Sequence, residues 1–303
     1  MYIVDMHCDS LIRIGADRGF VNSYNFSAKH PHLQFAAAFV SLKSGRLPEE
    51  RRSALMHHFN VYLSEKERLG LLGVKCAEDV YNFEDSEMRS SLFSVEGGAG
   101  LFPTSQELEV LAMGGLKVYG MAWDTNELAT GAWDKNDGGL TALGKEMVRK
   151  CDTLGIISDV SHLSDKSFYD LMETSGYPVL ATHSNFRELC ASPRNLTREM
   201  AKMIVERGGV IGLNLYSDFL NDGGVSSFDD VIRHVDYALE NFGENSLGFG
   251  FDIDGCDKFP RELRLDVSIH DQIVELLLSR YSYETVEKIA GKNVTNFLKS
   301  NLS

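Results

Sequence analysis

The chain has 303 residues, a formal net charge of −14, 43% hydrophobic residues and 24% charged residues. These proportions are ordinary for a globular protein and carry no signature of disorder. The acidic surplus argues against nucleic acid as a partner, because nucleic acids bind proteins largely through phosphate contacts to basic side chains. A chain of this length is either one large domain or two smaller ones.

Cysteine usage and the amino-terminal segment favour a cytoplasmic protein without membrane attachment. The five cysteines are scattered and show no CxxC spacing, which favours a reducing compartment. The first nine residues contain two acidic residues and no basic segment that leads into a long apolar run, so we expect no signal peptide. No stretch approaches the roughly 20 apolar residues that a membrane span needs.

Eight short apolar runs are predicted to be β-strands. They cover residues 3–6, 35–42, 92–95, 116–121, 156–160, 179–182, 210–215 and 247–251. Most of these runs are continuous rather than alternating, which is typical of strands that are buried on both faces of a parallel sheet.

Segments with apolar residues at helical spacing lie between these runs. They cover residues 48–70, 141–154, 164–175, 197–207 and 228–242, with further helices at 271–281 and 283–289. Several begin with a Ser or Thr cap. Strands that alternate with helices, without a linker between them, favour a closed (β/α)8 barrel of the TIM type. We therefore predict one α/β domain over residues 1–303, with extra C-terminal helices.

Metal-type ligands follow five of the predicted strands. They are His7, Asp9, Glu96, His162, His183 and Asp252. In a (β/α)8 barrel the catalytic groups lie at the carboxyl ends of the strands, where the loops converge. Imidazoles and carboxylates are the ligands of hydrolytic zinc sites, and a shared carboxylate can hold two ions close together. The sequence therefore predicts a barrel of the metal-dependent hydrolase type.

Two details of spacing restrict the ligand set. His7 and Asp9 are two residues apart, so in an extended segment their side chains point the same way and that of Cys8 points away. The run that begins at Asp252 is not a calcium loop, because its glycine stands at the fourth rather than the sixth position.

A lone histidine is more often structural than a ligand. The other histidines are therefore read as surface or structural residues: His30, His32, His57, His58, His234 and His270.

The motifs around these residues resemble, in their order, those of the membrane (renal) dipeptidase family of zinc metallopeptidases, in its bacterial cytosolic form. The D-x-H-x-D opening matches residues 5–9, the E-G-G turn matches 96–98 and the D-x-S-H segment matches 159–162. The H-S-N segment matches 183–185, R-N matches 194–195 and G-x-D-x-D-G matches 250–255. The matching motifs extend over nearly the whole chain.

The resemblance implies a site with two zinc ions. His7 and Asp9 would bind one ion, His162 and His183 would bind the other, and Glu96 would bridge them. A hydroxide between the two ions would attack the peptide carbonyl.

The neighbouring polar residues have expected roles of their own. Asp252 would take the proton from the attacking water and pass it to the leaving amine, or else would only orient a ligand. Asp254 is expected to hold the loop rather than to react. Asp159 and Ser161 are expected to orient the histidines.

A dipeptidase must recognise the free α-carboxylate of its substrate. Arg194 is the candidate, because a guanidinium can bind a carboxylate in bidentate fashion; the alternative is a salt bridge at a helix entry. Tyr216 could add a hydrogen bond to the same carboxylate. Trp123 stands where some members of the family carry a histidine, and an indole NH donates one hydrogen bond but cannot become a cation. We therefore expect either a lower activity or a different preferred substrate.

The expected function is that of a zinc-dependent dipeptidase that cleaves dipeptides with free amino and carboxyl termini, with a D-residue at the second position as a further option. Two alternatives stay open. One is another metal-dependent barrel hydrolase that acts on a cyclic amide, a lactone or a phosphoester, and the other is a non-catalytic relative. The complete ligand set disfavours the latter. A homodimer is a family-level expectation.

Overall fold

Most β-strands of the structure overlap, in residue range, with the continuous apolar runs of the sequence. The structure, a computed structural model, describes residues 1–13, 26–45, 47–86, 88–98 and 100–302. Its strands are β1 (Ile3–Cys8), β2 (His32–Phe39), β3 (Leu72–Gly73), β4 (Arg89–Glu96), β5 (Leu116–Gly120), β6 (Ile157–Asp159), β7 (Leu180–Ala181), β8 (Val210–Leu213) and β9 (Leu247–Phe249).

Eight of the nine strands formed by the described residues close a parallel barrel. The hydrogen-bonded order runs β1, β2, β4, β5, β6, β7, β8 and β9, and β9 pairs again with β1. The short strand β3 lies outside this ring and pairs Leu72 with Ser90 and Gly73 with Ser91 of β4. The predicted (β/α)8 barrel is confirmed.

Helices follow most of the strands. They are α1 (Pro48–Leu69), α2 (Ala77–Glu84), α3 (Gln106–Gly114), α4 (Ala142–Leu154), α5 (Asp165–Thr174), α6 (Arg198–Glu206), α7 (Ser217–Leu220), α8 (Phe228–Phe242), α9 (Ile269–Leu278), α10 (Tyr283–Glu287) and α11 (Asn293–Asn301). The side chains of Thr141, Ser164 and Thr197 accept hydrogen bonds from the first turns of α4, α5 and α6, so these residues are the caps that the sequence predicts.

Strand β2 differs from its predicted position. It begins at His32 rather than at residue 35 and ends at Phe39, and Leu42, predicted as its last residue, begins a 3-10 turn, Leu42–Ser44. His32 and Gln34 are fully buried although they are polar. The amide of Ser27 donates to His32 Nδ1 at 3.0 Å, and His32 Nε2 lies 3.2 Å from Gln34 Oε1. These hydrogen bonds offset the free-energy cost of burying two polar side chains. A prediction from hydrophobicity alone could not identify such buried polar residues.

The C-terminal helices pack against the amino-terminal side of the barrel. A Cβ on Gly291 would lie 2.7 Å from the ring of Tyr2, the residue before β1, and one on Gly248 of β9 would lie 2.8 Å from Val294. This packing leaves the carboxyl ends of the strands free for a site. Within the described residues we find no helix with the length and apolar character needed to cross a bilayer.

Candidate active site

Six predicted site residues come together at the carboxyl ends of the strands. His7 lies in β1 and Asp9 directly after it, Glu96 ends β4, and His162, His183 and Asp252 follow β6, β7 and β9. All six side chains are buried, with at most 8% of any residue exposed. The barrel therefore gathers residues that lie up to about 245 positions apart in the chain.

Glu96 stands between three of the histidines. Its Oε1 atom lies 2.7 Å from His162 Nε2 and 3.4 Å from His183 Nε2. Its Oε2 atom lies 3.5 Å from His7 Nε2. One carboxylate thus faces three imidazole nitrogens, which is the arrangement expected of a carboxylate shared between two ions.

His7 also faces two further carboxylates. His7 Nε2 lies 3.5 Å from Asp9 Oδ2 and 3.9 Å from Asp252 Oδ1. The ligand atoms of His7, Asp9 and Asp252 lie within 4.8 Å of one another, and so do those of His7, Glu96 and His183. The structure therefore offers two overlapping groups of donor atoms, and Asp252 lies in one of them.

Unpaired donor atoms show that these groups fit a divalent metal ion. His7 Nε2 and Asp9 Oδ1 are buried and have no hydrogen-bond partner among the residues that the structure describes. A buried polar atom without a partner costs free energy, which a bound cation would offset. Neutral imidazoles and carboxylates are the ligands that zinc prefers at hydrolytic sites.

A glycine keeps the space between two of the carboxylates open. A Cβ on Gly255 would lie 2.2 Å from both Asp9 Oδ2 and Asp252 Oδ1. No other residue could stand there without displacing these oxygens. The chain therefore holds two carboxylate oxygens around a space that no side chain fills.

Burial perturbs the ionisation of the site. Burial raises the pKa of Glu96 to about 8 and that of Asp252 to about 6, and the negative charge of Asp9 adds to both increases. Burial, reinforced by neighbouring positive groups, lowers the pKa values of His162 and His183 well below the usual range. These two imidazoles are therefore neutral near pH 7, the form that binds metal.

Asp5 fixes the end of β1. Its Oδ1 atom accepts hydrogen bonds from the amides of His7 and Phe251, both at 3.1 Å. Its Oδ2 atom lies 2.7 Å from Nε2 of His270, the second residue of α9. Asp5 and His270 are fully buried. One carboxylate thus joins β1, the segment after β9 and helix α9 directly behind His7.

Asp159 does the same for β6 and β7. Its Oδ1 atom accepts from the amides of Ser161 and Thr182, both at 2.9 Å. Its Oδ2 atom accepts from the Thr182 hydroxyl at 2.6 Å, and that hydroxyl oxygen lies 2.8 Å from His183 Nδ1. Because the Thr182 proton goes to Asp159, the oxygen accepts from His183 Nδ1, which leaves Nε2 unprotonated. That Nε2 atom lies 2.9 Å from His162 Nε2 and 3.4 Å from Glu96 Oε1.

Side-chain contacts also orient the loop after β9. Asn214 Nδ2 donates to Asp252 Oδ2 at 3.1 Å, and the Ser10 hydroxyl donates to Asp254 Oδ2 at 2.6 Å.

Three residues at the site have left-handed backbone angles. The φ angles of His162, Asp252 and Asp254 are 69°, 61° and 68°. Such angles are uncommon outside glycine, and they often occur at functional sites, where the surrounding structure maintains them.

Arg194 lies beside the cluster but is already engaged. Its Nη1 donates to the Ser184 hydroxyl and its Nη2 to the carbonyl of His183, both at 2.8 Å. The residue is 3% exposed, and its Nε has no partner among the described residues. Among the described residues no carboxylate forms a salt bridge with Arg194, so the alternative role at a helix entry is not seen there.

A cavity of about 660 Å³ opens above the cluster. It is lined by Asp9, Glu96, His162 and Asp252, by Trp123, Tyr216, Phe219 and Trp133, and by Lys43, Asp218, Gly255, Cys256 and Asp257. Both Trp123 and Tyr216 therefore face the predicted site. The Trp123 ring lies 6.0 Å from the ring of His162 and 5.6 Å from Nζ of Lys43.

Several residues of this site were not found from the sequence. Thr182 precedes a predicted ligand, so its position was a usable signal. Asn214, Trp133 and His270 carry no such local signal, because they reach the site only through the closure of the barrel and the packing of α9.

The sequence was also compared with known proteins. A sequence model of the membrane dipeptidase family, peptidase family M19, matches residues 1–301. An uncharacterised protein from the pqqA 5′ region of Klebsiella pneumoniae is 29% identical over 235 residues, which cover 74% of this chain and 86% of that protein. Dipeptidase tcpJ of Claviceps purpurea is 30% identical over 228 residues, which cover 74% of this chain and 53% of that protein. This chain thus spans about half the length of tcpJ.

Solved structures share the fold. A metallopeptidase from Rhodobacter sphaeroides, liganded with a phosphinate mimic of the dipeptide L-Ala-D-Ala, superposes with a TM-score of 0.88 at 22% identity. The superposition covers 100% of this chain and 99% of that one. The match of the family model over residues 1–301 shows that the chain belongs to the membrane dipeptidase family, peptidase family M19, a family of metallopeptidases.

Proposed function

We propose that the protein is a zinc-dependent dipeptidase that hydrolyses dipeptides with free amino and carboxyl termini. The observation that carries this proposal is the contact of one buried carboxylate, Glu96, with three histidines at the mouth of the barrel. The five unpaired cysteines support a cytoplasmic location as part of the same proposal.

The metal would be held by the residues that the sequence predicts. His7, Asp9, His162 and His183 are the ligands in this proposal, and Glu96 is shared between two ions. Two zinc ions held there would supply the nucleophile by lowering the pKa of a water that they share, and would polarise the substrate carbonyl.

Asp252 is the proton carrier in this proposal. Asn214 holds its Oδ2 atom, so Oδ1 is the atom that faces His7 and Asp9. Oδ1 would accept a proton from the attacking water and release it to the leaving amine. The position of Asp252 beside the ligand group supports this role over that of a purely orienting residue.

Arg194 remains the candidate for the substrate α-carboxylate. Its guanidinium lies beside the cluster, and burial lowers the pKa of Arg194 from its usual value while Asp252 and Asp159 oppose that change. Arginine keeps its charge regardless. Ser184 and His183 use one proton of each Nη atom, so the carboxylate would bind at Nε and a remaining Nη proton, or would take the place of the Ser184 hydroxyl on Nη1.

The engaged state of Arg194 favours a second candidate function. Arg194 already donates to Ser184 and His183 and is not among the residues that line the cavity, so a substrate without a free carboxylate would fit the cavity equally well. A metal-dependent hydrolase that acts on a cyclic amide would be such an enzyme.

A panel of substrates separates the two candidates. Zinc-loaded enzyme is assayed with L,L and L,D dipeptides, with the same dipeptides amidated at the carboxyl terminus or acetylated at the amino terminus, with tripeptides and with a cyclic amide. We expect free dipeptides to be cleaved at least about 100-fold faster than the amidated forms, because a buried arginine left without its carboxylate costs several kcal/mol. Equal cleavage of free and amidated dipeptides would rule out the proposal. The L,D members test the option of a D-residue, the stereochemistry of the ligand bound by the Rhodobacter sphaeroides protein.

A further inference from the structure

Trp133 is an exposed aromatic residue at the mouth of the active-site cavity. It lies between β5 and α4, lines the cavity and is 61% exposed. Its ring lies 6.4 Å from that of Phe219, at an angle of 34°. An indole that stands in water above a catalytic cavity offers a large apolar surface that a ligand can cover.

Phe219 and Tyr216 continue this surface into the cavity. Their rings meet edge to face at 4.8 Å. The backbone carbonyl of Phe219 accepts hydrogen bonds from Asn185 Nδ2 at 3.2 Å and from Asn195 Nδ2 at 2.9 Å. We call Trp133, Phe219 and Tyr216 the aromatic wall. Two asparagines thus fix the backbone of the central residue of this wall.

The aromatic wall lies beside Arg194. The guanidinium carbon of Arg194 is 5.6 Å from the centre of the Phe219 ring. A dipeptide whose α-carboxylate lies at Arg194 carries its C-terminal side chain on the adjacent carbon. The Phe219 ring is the aromatic surface beside that position, and the Trp133 ring lies 6.4 Å from the Phe219 ring.

An acidic residue beside the wall is paired with a lysine. Asp218 lines the same cavity, but Nζ of Lys258 lies 2.9 Å from its carboxylate and 5.9 Å from the ring of Tyr216. This ion pair neutralises the acid nearest to Tyr216. An apolar side chain is then the best match for the wall.

We propose that the aromatic wall is the subsite for the C-terminal residue of the dipeptide and that it selects an apolar, preferably aromatic, side chain. This inference rests on the proposed dipeptidase function. The cavity volume of about 660 Å³ lies within the usual range for sites that bury a small ligand.

Two dipeptides of equal composition test the proposal. L-Ala-L-Phe places its ring at the C-terminal residue, and L-Phe-L-Ala places it at the N-terminal one. The measured quantity is the ratio of their kcat/KM values, which does not depend on the fraction of enzyme that holds metal. We expect wild type to prefer L-Ala-L-Phe. The ratio of kcat/KM values should fall about tenfold in the Trp133→Ala variant and should change little in the Trp133→Phe variant.

A matched control and a binding measurement complete the test. The control is Tyr177→Ala, which removes a 60% exposed aromatic residue that precedes β7 at the other end of the barrel, and its ratio should equal that of wild type. For binding, the Asp252→Asn variant is titrated with each dipeptide while tryptophan fluorescence is recorded. The chain has two tryptophans, so the titration is repeated with the double variant that carries both Asp252→Asn and Trp133→Phe. The difference between the two titrations is the signal of Trp133. We expect a blue shift with L-Ala-L-Phe that the added Trp133→Phe change removes.

The outcomes are distinguishable. A Trp133→Ala variant with the wild-type ratio, or a fluorescence shift that is equal for the two dipeptides, would overturn the subsite. A wild-type enzyme that cleaves no dipeptide would overturn the proposed function, and the fluorescence titration would still decide whether the wall binds an apolar side chain.

Discussion

The Oδ2 atom of Asp5 lies 2.7 Å from Nε2 of His270, and both residues are fully buried. Asp5 also accepts from the amide of His7 and from that of Phe251. Helix α9, which carries His270, is thereby connected to the strand that carries a predicted metal ligand. A carboxylate in this position acts on the ligand by fixing the backbone from which the ligand projects.

Replacing His270 should weaken metal binding. The His270→Leu variant leaves Asp5 Oδ2 buried without a donor, so the end of β1 loses part of its support. We expect the zinc dissociation constant to rise by roughly 10- to 100-fold, the usual effect of losing a residue that orients a ligand. Zinc affinity is measured by competition with a chromophoric chelator.

Two variants control this measurement. His270→Gln can place an amide donor near Asp5 and should restore part of the affinity, whereas His57→Leu changes an exposed histidine of α1 and should leave the affinity unchanged. An His270→Leu protein that folds and binds zinc as wild type does would show that Asp5 needs no donor from α9.

The hydroxyl of Thr182 should be needed to orient His183. Thr182→Val keeps the shape of the side chain and removes the oxygen between Asp159 Oδ2 and His183 Nδ1. We expect zinc affinity and kcat to fall by about tenfold, with recovery in Thr182→Ser, which keeps the hydroxyl. Thr153→Val, at an exposed threonine of α4, is the control. Wild-type values for Thr182→Val would mean that the tautomer of His183 is set elsewhere.

The open space at Gly255 should be required for metal. In Gly255→Ala the new Cβ would meet Asp9 Oδ2 and Asp252 Oδ1 at 2.2 Å and push them apart. Overpacking of this kind costs about 1–3 kcal/mol, which corresponds to at least a roughly fivefold loss of affinity. Calorimetric titration with zinc measures the loss. Gly176→Ala is the matched control, because the nearest atom to its Cβ would be at 3.9 Å. Equal affinities of the two variants would contradict the steric account.

Acid should destabilise the protein through His234. The amide of Phe186 donates to its Nδ1, and its Nε2 lies 3.2 Å from the Leu220 carbonyl, an arrangement that requires the neutral ring. Burial lowers its pKa to about 4, against about 6.5 in the unfolded chain. The unfolded state therefore binds more protons below pH 6.5, and stability falls as the pH drops from about 6.5 to about 4.

The size of this effect follows from the two pKa values. Each unit of difference corresponds to about 1.4 kcal/mol, so between pH 7.5 and 4.5 His234 should remove about 2–3 kcal/mol from the free energy of unfolding. Urea unfolding of wild type and His234→Gln at both pH values isolates this contribution. The wild type should lose more stability than the variant, and equal losses would show that His234 is protonated in the folded state.

The sequence predicted the barrel well because parallel strands buried on both faces are continuous apolar runs. It failed where burial is polar or a strand is very short. His32 and Gln34 of β2 are buried by virtue of their hydrogen bonds, and Leu72–Gly73 is too short to give a pattern. Helices α2 and α3 were also missed, since few apolar residues mark their buried faces.

The residues of the candidate site were likewise predicted only where a local sequence pattern marks them. His7, Asp9 and Glu96 were predicted because each stands at the end of an apolar run. His270 follows Asp5 by 265 positions and lies on a helix, so nothing local connects the two residues. The roles assigned to the site residues, the single-domain assignment and the homodimer stay predictions.

The measurement that tests the central claim most directly is a zinc titration of metal-free enzyme, followed by hydrolysis of a free dipeptide such as L-Ala-L-Phe. We predict that activity is absent without metal, rises with added zinc and reaches its maximum at two ions per chain, and that Glu96→Gln abolishes this rise. Full activity in metal-free protein, or undiminished activity of Glu96→Gln, would contradict the account.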